Sequence, residues 1–475
     1  MLVALVVAPL ALALLAFALP SERWRPWLVP AGGLVHFVLT LAALRESAPS
    51  ALGGWLAIDP LTRVVLPLLS SLFLICAAYA PSYLRIRPER PNRVFCTGLL
   101  VFLGMMTLIT ESHHLGLMWV ALEFNTLASA PLLYFNQNPR SLEATWKYLM
   151  IGAVGIALAL LGSFFLAYAA LSSGLETSLL FDDLVRQAPQ LSRPWLHAAF
   201  VLLFVGYGTK MGIAPMHTWK PDAYGEAPGL VGALLAGGLT TCAFVALLRF
   251  VQICGAAGEA AFASELLVAT GLLSMAIAGV FMARQRDFKR MLAYSSVEHM
   301  GILALGVGIG GLGTFGALLH VINNAFAKGV MFLSAGNIHR AFGSKTTDVV
   351  AGALRRVPVS AALFLAGFFA VTGSPPFGPF VSEFTILRAT IENGRYGVAA
   401  LFLVLLFVVF VGMGATVLAV VQGDPRGERS EFRDRPGTVL PIVVLIALVL
   451  LLGLWIPNGL DSALWDAARF VEARP

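Results

Sequence analysis

The sequence has little charge. Only 12% of its 475 residues are Asp, Glu, Lys or Arg, whereas 58% are hydrophobic and the mean hydropathy is +0.82. Soluble domains carry about 25% charged residues, so this composition excludes a soluble protein. The sequence therefore predicts an integral membrane protein.

Cysteine is also scarce, and no two cysteines form a CxxC pair. Isolated cysteines in apolar segments are typical of packing residues, so no iron–sulfur, haem or zinc site is predicted. We find no P-loop, no dinucleotide fingerprint and no large hydrophilic domain. We therefore expect no metal, no cofactor and no catalytic centre in this chain, and its energy must come from a gradient or a partner. The four cysteines are Cys76, Cys96, Cys242 and Cys254.

Hydrophobic runs long enough to cross a bilayer recur along nearly the whole chain. We count about fourteen, and a β-barrel would instead show alternating segments of about ten residues. The first run lacks a basic region before it, so we keep it as a span rather than a signal peptide. The predicted fold is an all-α polytopic membrane protein.

The connecting loops predict the orientation. Alternate loops hold 21 of the 32 Lys and Arg residues; they are "SERWRP", "RIRPERPNR", "NQNPRSLEATWK", "HTWKPDAYGEAP", "ARQRDFKR", "HRAFGSKTTDVVAGALRR" and "QGDPRGERSEFRDRPG". This bias predicts that these loops are cytoplasmic and that both termini are extracytoplasmic. Because topology explains the net charge of +6, no nucleic acid partner is expected.

Seven ionisable residues fall inside predicted spans. Each costs a few kcal/mol in lipid, so such groups tend to face a protein or water-filled interior and to be paired. A buried pair can serve only to hold two helices together, but seven groups in one chain favour a functional path. His36 has no comparable partner in the sequence and is interpreted as an ordinary interior histidine. The seven are Glu123, Lys210, Glu298, His299, His320, Lys328 and Glu383.

A spacing of four residues relates His320, Asn324 and Lys328. On a helix they form one stripe about 12 Å long, which is the shape of a proton relay. A buried lysine beside a carboxylate favours its charged form, whereas a lysine alone in an apolar interior favours its neutral form. Moving the carboxylate away would therefore release a proton from the lysine.

Prolines interrupt two of the ionisable spans. Pro215 follows Lys210 by five residues, and Glu383 follows Pro376, itself preceded by Pro375. The unpaired backbone groups at such breaks need protein or water, so both breaks must line an interior. They occur in the seventh and twelfth spans. A shift of five spans reverses the direction in which the chain crosses the membrane, so the pattern predicts two inverted five-helix repeats. The predicted domains are an N-terminal segment at 1–94, repeats at 95–252 and 264–421, and a last span with its tail at 422–475.

Four motifs, "GTKMGIAPMHTWKPDAYGEAP", "DFKRMLAYSSVEHMGI", "HVINNAFAKGVMFLSAGNI" and "GSPPFGPFVSEFTIL", carry a resemblance. The chain resembles the antiporter-like membrane subunits of respiratory complex I, Mrp-type cation antiporters and membrane-bound hydrogenases, and among them most closely the F-type subunits of hydrogenase-4. The resemblance covers about residues 61 to 421. It implies proton movement along a buried polar axis, driven by redox chemistry elsewhere in a complex, with other membrane subunits and a peripheral redox module as partners.

The resemblance also implies residue roles. Glu123 matches the fifth-span glutamate that pairs with the seventh-span lysine, here Lys210, and Lys328 matches the eleventh-span lysine, with His320 on its face. Glu383 matches the ionisable residue of the twelfth span. We predict that Glu383 is the exit-side proton site, loaded from the His320 stripe. Secondary candidates are His217, Thr241, Glu298, His299 and Asn324.

The chain departs from the family pattern in three places. The eighth span offers only Thr240 and Thr241 where many relatives place a lysine or histidine, so water is expected to link the two halves. Asn324 occupies a place that is histidine in the terminal complex I subunit, and no long lateral helix is expected after Pro457. Three functions stay open: a proton-translocating subunit of a redox complex, an Mrp-type cation/proton antiporter subunit, and a proton-coupled inorganic carbon uptake subunit.

Overall fold

A computed structural model describes residues 1–425 and 432–473 and is almost entirely helical. The predicted all-α polytopic fold is confirmed. Among the described residues, eleven helices are long and apolar enough to cross a membrane, and two shorter apolar helices accompany them. The number of fourteen spans stays a prediction.

Three helices precede the first predicted repeat. The third begins at Pro60 because the Asp59 carboxylate accepts a hydrogen bond from the Thr62 amide at 2.7 Å and caps its first turn. A two-stranded hairpin lies between the second and third helices. The elements are α1 (Leu2–Ala18), α2 (Leu28–Ala43), β1 (Ser50–Ala51), β2 (Leu56–Ala57) and α3 (Pro60–Arg85), with 3₁₀ turns at Arg25–Trp27 and Leu52–Gly54.

The next helices form the region predicted as the first repeat. Asn138 and Ser141 form a capping box at the start of its longest helix. The elements are α4 (Arg93–Glu111), α5 (Leu115–Leu133), α6 (Pro139–Leu171), α7 (Phe181–Gln187), α8 (Arg193–Met211), α9 (Trp219–Glu226), α10 (Gly229–Leu234), a π-helical turn (Leu235–Leu239) and α11 (Thr240–Ala256), with 3₁₀ turns at Tyr134–Asn136 and Ala188–Gln190.

The remaining helices include the region predicted as the second repeat. Its long helix α14 is almost wholly buried, and the amphipathic last helix lies across α3 and α14. The elements are α12 (Ala260–Met282), α13 (Phe288–Ile309), α14 (Leu312–Phe342), α15 (Ala353–Arg356), α16 (Pro358–Val371), α17 (Gly378–Glu392), α18 (Tyr396–Val421), α19 (Pro436–Leu454) and α20 (Asn458–Val471).

The chain leaves the helix between α8 and α9 and between α16 and α17, in the two spans where helix breaks are predicted. At the first break Gly212 adopts a left-handed conformation with φ 75°. The Ala214 amide donates to the Ser274 hydroxyl at 2.9 Å, and the Trp219 indole donates to the Thr209 carbonyl at 2.8 Å. Protein groups thus satisfy backbone atoms that the break exposes.

One predicted loop contains a helix. The sequence predicts the segment "HTWKPDAYGEAP" as a cytoplasmic loop, but Trp219–Glu226 form the buried helix α9. It packs between α6 and α13. The sequence of α9 is polar, as the sequence of a loop usually is. Neighbouring helices, rather than apolar residues of α9 itself, bury this helix.

Five loops predicted to be cytoplasmic meet around one cavity of about 710 Å³. Each contributes at least one lining residue, so the structure brings these loops to one side of the molecule. Ion pairs join lining residues from different loops: Lys345 contacts Glu226 at 2.6 Å, and Arg290 contacts Asp222 at 2.9 Å. We call this space the vestibule.

Candidate functional site: a buried series of titratable side chains

The first cluster surrounds Lys210 in the last turn of α8. Its ammonium lies 3.0 Å from the Glu123 carboxylate and donates to the Thr126 hydroxyl at 2.6 Å. Gly152 on α6 leaves room for this group, since a Cβ at that position would lie 2.9 Å from the Lys210 nitrogen. The predicted pair is therefore in contact, and Thr126 completes it.

The second cluster surrounds Lys328 on α14. Its ammonium donates to the Ser295 hydroxyl of α13 at 2.7 Å, and it forms no ion pair within the described part of the chain. Glu298 lies about one helical turn beyond Ser295 and is fully buried. Lys328 thus has a hydroxyl partner where Lys210 has a carboxylate.

Two histidines continue the second cluster. His299 Nδ1 and His320 Nε2 lie 2.9 Å apart, and His320 Nδ1 lies 2.9 Å from the Ser382 hydroxyl of α17. One ligand atom from each histidine and one from Glu383 lie within 4.8 Å of one another. That spacing would also suit a metal ion, but the direct contact between the two imidazoles favours a shared proton. The arrangement fits a proton path from α13 through α14 to α17.

The predicted stripe lies on one buried face of α14, although its contacts run between helices. His320 bonds to α13 and α17, and Lys328 bonds to α13. Asn324 is buried, and its carbonyl oxygen has no hydrogen-bond partner among the described residues. Buried polar atoms of this kind usually bind ordered water.

Glu383 lies against the break before α17. A Cβ at Gly373, which has φ 62°, would clash with the Glu383 carboxylate, so glycine is needed for both the backbone and the space. One carboxylate oxygen of Glu383 has no hydrogen-bond partner in residues 1–425 and 432–473. The structure thus brings the second break, produced at Pro375 and Pro376, together with a buried titratable group.

The secondary candidates divide into two groups. Glu298 and His299 belong to the second cluster, while His217 is buried in the first break with no described partner for its Nδ1. The Thr240 and Thr241 hydroxyls donate to carbonyls of their own helix, at Ala236 and Gly237. Neither threonine bridges the two clusters.

Sequence reasoning missed several groups at the site. Thr126, Ser295 and Ser382 gave no signal, because a hydroxyl in an apolar span is usually bonded to its own helix. Lys220 lies in a segment that the sequence predicts as a loop, but its side chain is fully buried in α9.

A further polar cluster lies where α3, α5, α7 and α11 approach one another. Arg249, buried in α11, forms an ion pair with Asp59 and lies 3.3 Å from His113 Nε2. His113 also lies 3.0 Å from Asp59 and 3.7 Å from Asp182. Burial disfavours the charged imidazole, but the carboxylates of Asp182 and Asp59 outweigh it and raise the pKa of His113 above 6.5. We call these four residues the Asp59 cluster.

Two further buried polar groups lie in α2 and α4. His36 contacts the hydroxyls of Ser70 and Thr107, each at 2.8 Å, which agrees with an interior histidine. Glu111 at the end of α4 is fully buried, and neither carboxylate oxygen has a hydrogen-bond partner among the described residues.

Comparisons with known proteins show which family this chain resembles in sequence. The family model described as "NADH:quinone oxidoreductase/Mrp antiporter, TM" matches residues 112–411. A "Hydrogenase-4 component F homolog" of Methylacidiphilum infernorum is 32% identical over 96% of each chain. The "NADH-quinone oxidoreductase subunit N" of Desulforudis audaxviator is 32% identical over 86% of this chain and 83% of its own.

The fold has a close match among solved structures. A chain of the membrane-bound sulfane sulfur reductase, an archaeal respiratory membrane complex, superimposes with a TM-score of 0.88 at 20% identity, over 99% of this chain and 97% of its own. The family match spans both clusters and both helix breaks. This chain therefore belongs to the NADH:quinone oxidoreductase/Mrp antiporter family of transmembrane subunits.

Proposed function

We propose that this chain is the proton-translocating membrane subunit of a redox-driven complex of the hydrogenase-4 or complex I type. One observation carries the proposal: Lys210 is paired with Glu123 in the first cluster, and in the second cluster Lys328 and His320 bond to the hydroxyls of Ser295 and Ser382 beside the buried Glu383. The chain contributes no catalytic centre of its own and no cofactor. It uses energy released by redox chemistry in partner subunits.

The two lysines suggest how coupling works. Lys210 has a carboxylate within ion-pair distance, whereas the Lys328 ammonium donates to a hydroxyl and forms no ion pair among the described residues. A carboxylate that approaches or leaves a buried lysine changes the stability of its charged form. Moving one proton against about 100 mV costs roughly 2.3 kcal/mol, and altering a partly buried ion pair supplies a change of that order.

The partial exposure of Glu123 indicates that another membrane subunit contacts α5. Its side chain is 25% exposed, whereas that of Lys210 is 1% exposed. Its neighbours Val120 and Phe124 are about half exposed on the same helix. A carboxylate at a lipid-facing surface is costly, so we infer that another membrane subunit of the complex covers this face of α5.

The domain and topology predictions belong to the same proposal. We infer two inverted five-helix repeats, at 95–252 and 264–421, flanked by 1–94 and 422–475. We also infer that the chain lies in a prokaryotic inner membrane with both termini outside and the vestibule open to the cytoplasm, because the basic loops border the vestibule. Gradient-driven cation/proton antiport is the second candidate, since the matching family description includes Mrp antiporters.

Isolating the native assembly tests the choice between these functions. We expect the chain, purified in mild detergent, to bring with it other membrane subunits and a peripheral redox subunit, and reconstituted assembly to move protons during turnover. Co-purification with membrane subunits alone, combined with cation/proton exchange in the absence of any electron donor, would instead support the antiporter.

A further inference from the structure

The two clusters are not joined by any titratable side chain of α10 or of the adjoining π-helical turn. Thr240 and Thr241, at the start of α11, bond to their own helix. A proton passing from the Lys210 cluster to the Lys328 cluster therefore needs another carrier.

Lys220 is the buried lysine between them. Its side chain is fully buried, and no carboxylate lies within ion-pair distance of it in the described part of the chain. Within residues 1–425 and 432–473 its ammonium has one protein acceptor, the Ser296 carbonyl at 3.5 Å, and it lies 5.9 Å from the centre of the Tyr224 ring. A buried lysine with so weak a set of partners is costly, which favours a functional role over a packing role.

Lys220 lies between the Lys210 cluster and the Lys328 cluster. Helix α9 packs between α6, which borders Lys210, and α13, which borders Lys328. The Lys220 stem lies against Gly212, two residues after Lys210, and a Cβ at Gly212 would clash with it. Its ammonium reaches Ser296, the neighbour of the Ser295 that binds Lys328.

The vestibule, a polar cavity, lies beside the helix that carries Lys220. Pro221, Asp222 and Glu226, on the same short helix, line the vestibule. The buried Tyr224 hydroxyl and one oxygen of Glu298 have no hydrogen-bond partner among the described residues, and such atoms usually bind water. Lys220 thus lies between a polar cavity and polar atoms that can extend a path to Lys328.

We propose that Lys220 is the proton carrier that joins the Lys210 cluster to the Lys328 cluster. Its ammonium gives up one proton towards the Lys328 side and becomes a neutral amine, which then takes one proton from the Lys210 side or the vestibule. No oxidant, reductant or other reactant is needed. The inference rests on the proposed proton translocation, and it assigns to α9 the connection that water alone was expected to make.

Substitutions in the complete, reconstituted assembly test the inference. Lys220→Met keeps the length and apolar stem but cannot titrate, and Lys220→His restores a titratable group. Lys289→Met is the matched control, because Lys289 is also a buried lysine bonded to a carbonyl, that of Ala227 at 2.5 Å. Proton movement, electron transfer and assembly are measured for each variant.

We expect Lys220→Met to assemble and lose most proton movement, Lys220→His to regain part of it, and Lys289→Met to keep it. Wild-type pumping by Lys220→Met would overturn the inference, as would equal losses in Lys220→Met and Lys289→Met or no gain with histidine. If the wild-type assembly itself moves no protons during turnover, the proposed function fails instead, so the two failures are distinguishable.

Discussion

The Lys210 ammonium lies 3.0 Å from the Glu123 carboxylate, whereas the corresponding contact of Lys328 is a serine hydroxyl. The two lysines therefore experience different electrostatic environments in one structure. In an interior of low polarity, such a difference decides which lysine holds its proton more firmly. An ion pair that breaks in one cluster and forms in the other would therefore change which lysine holds a proton.

The first prediction concerns the Lys210 pair. Lys210→Ala and Glu123→Gln should each abolish most proton movement while the complex still assembles, with a stability loss of up to about 3–5 kcal/mol for the half-broken pair. Lys147→Ala is the control, because Lys147 pairs with Asp222 at 2.9 Å but is 45% exposed. If both pair variants pump like the wild type, the pair only holds α5 and α8 together.

The second prediction concerns Gly152. An alanine there would bring a methyl carbon to 2.9 Å from the Lys210 nitrogen, so Gly152→Ala should displace the ammonium from Thr126 and reduce pumping. Overpacking of this kind costs about 1–3 kcal/mol. Gly397→Ala, which would meet nothing within 4 Å, is the control. Equal pumping rates in the two variants would argue against a tightly fitted Lys210 site.

The spans and breaks could be predicted from the sequence because their signals are local. A long apolar run specifies a membrane helix, and prolines near a buried charge specify a break. Helix α9 was missed because its sequence, "WKPDAYGE", is polar and contains proline. Only its packing between α6 and α13 makes it an interior element, and that packing depends on residues distant in sequence.

The candidate site was predictable only in part. Ionisable residues within apolar runs are conspicuous, and the family resemblance indicated the Glu123 partner of Lys210. The hydroxyls of Thr126, Ser295 and Ser382 were not predictable, because their partners lie on other helices. The Asp59 cluster was missed for the same reason, since its members come from four separate segments.

The third prediction concerns topology. Arg355 and Arg469 are about two-thirds exposed and lie in segments predicted to face opposite sides of the membrane. Single cysteines at these positions should react with an impermeant reagent from the outside only at position 469. The native cysteines are buried and should give little background. Labelling from outside at 355 and not at 469 would invert the proposed orientation.

The fourth prediction concerns pH and the Asp59 cluster. The pKa of His113 is raised above 6.5 by Asp182 and Asp59, against the effects of burial and of Arg249. A raised folded-state pKa stabilises the fold fully below the unfolded value, and this stabilisation is lost as the pH rises through the folded value. Thermal unfolding of the assembly should therefore lose more stability above pH 6.5 in the wild type than in His113→Gln. Parallel pH profiles would show that folding does not raise the pKa of His113.

The central claim is that protons leave through a titratable group at the second helix break. Glu383→Gln keeps the size and hydrogen-bonding capacity of the side chain beside Gly373 but cannot titrate, whereas Glu383→Asp can. Pumping by the reconstituted complex during turnover tests this most directly. We predict normal assembly in both variants, with most proton movement lost in Glu383→Gln and part retained in Glu383→Asp. Wild-type pumping by Glu383→Gln would contradict the account.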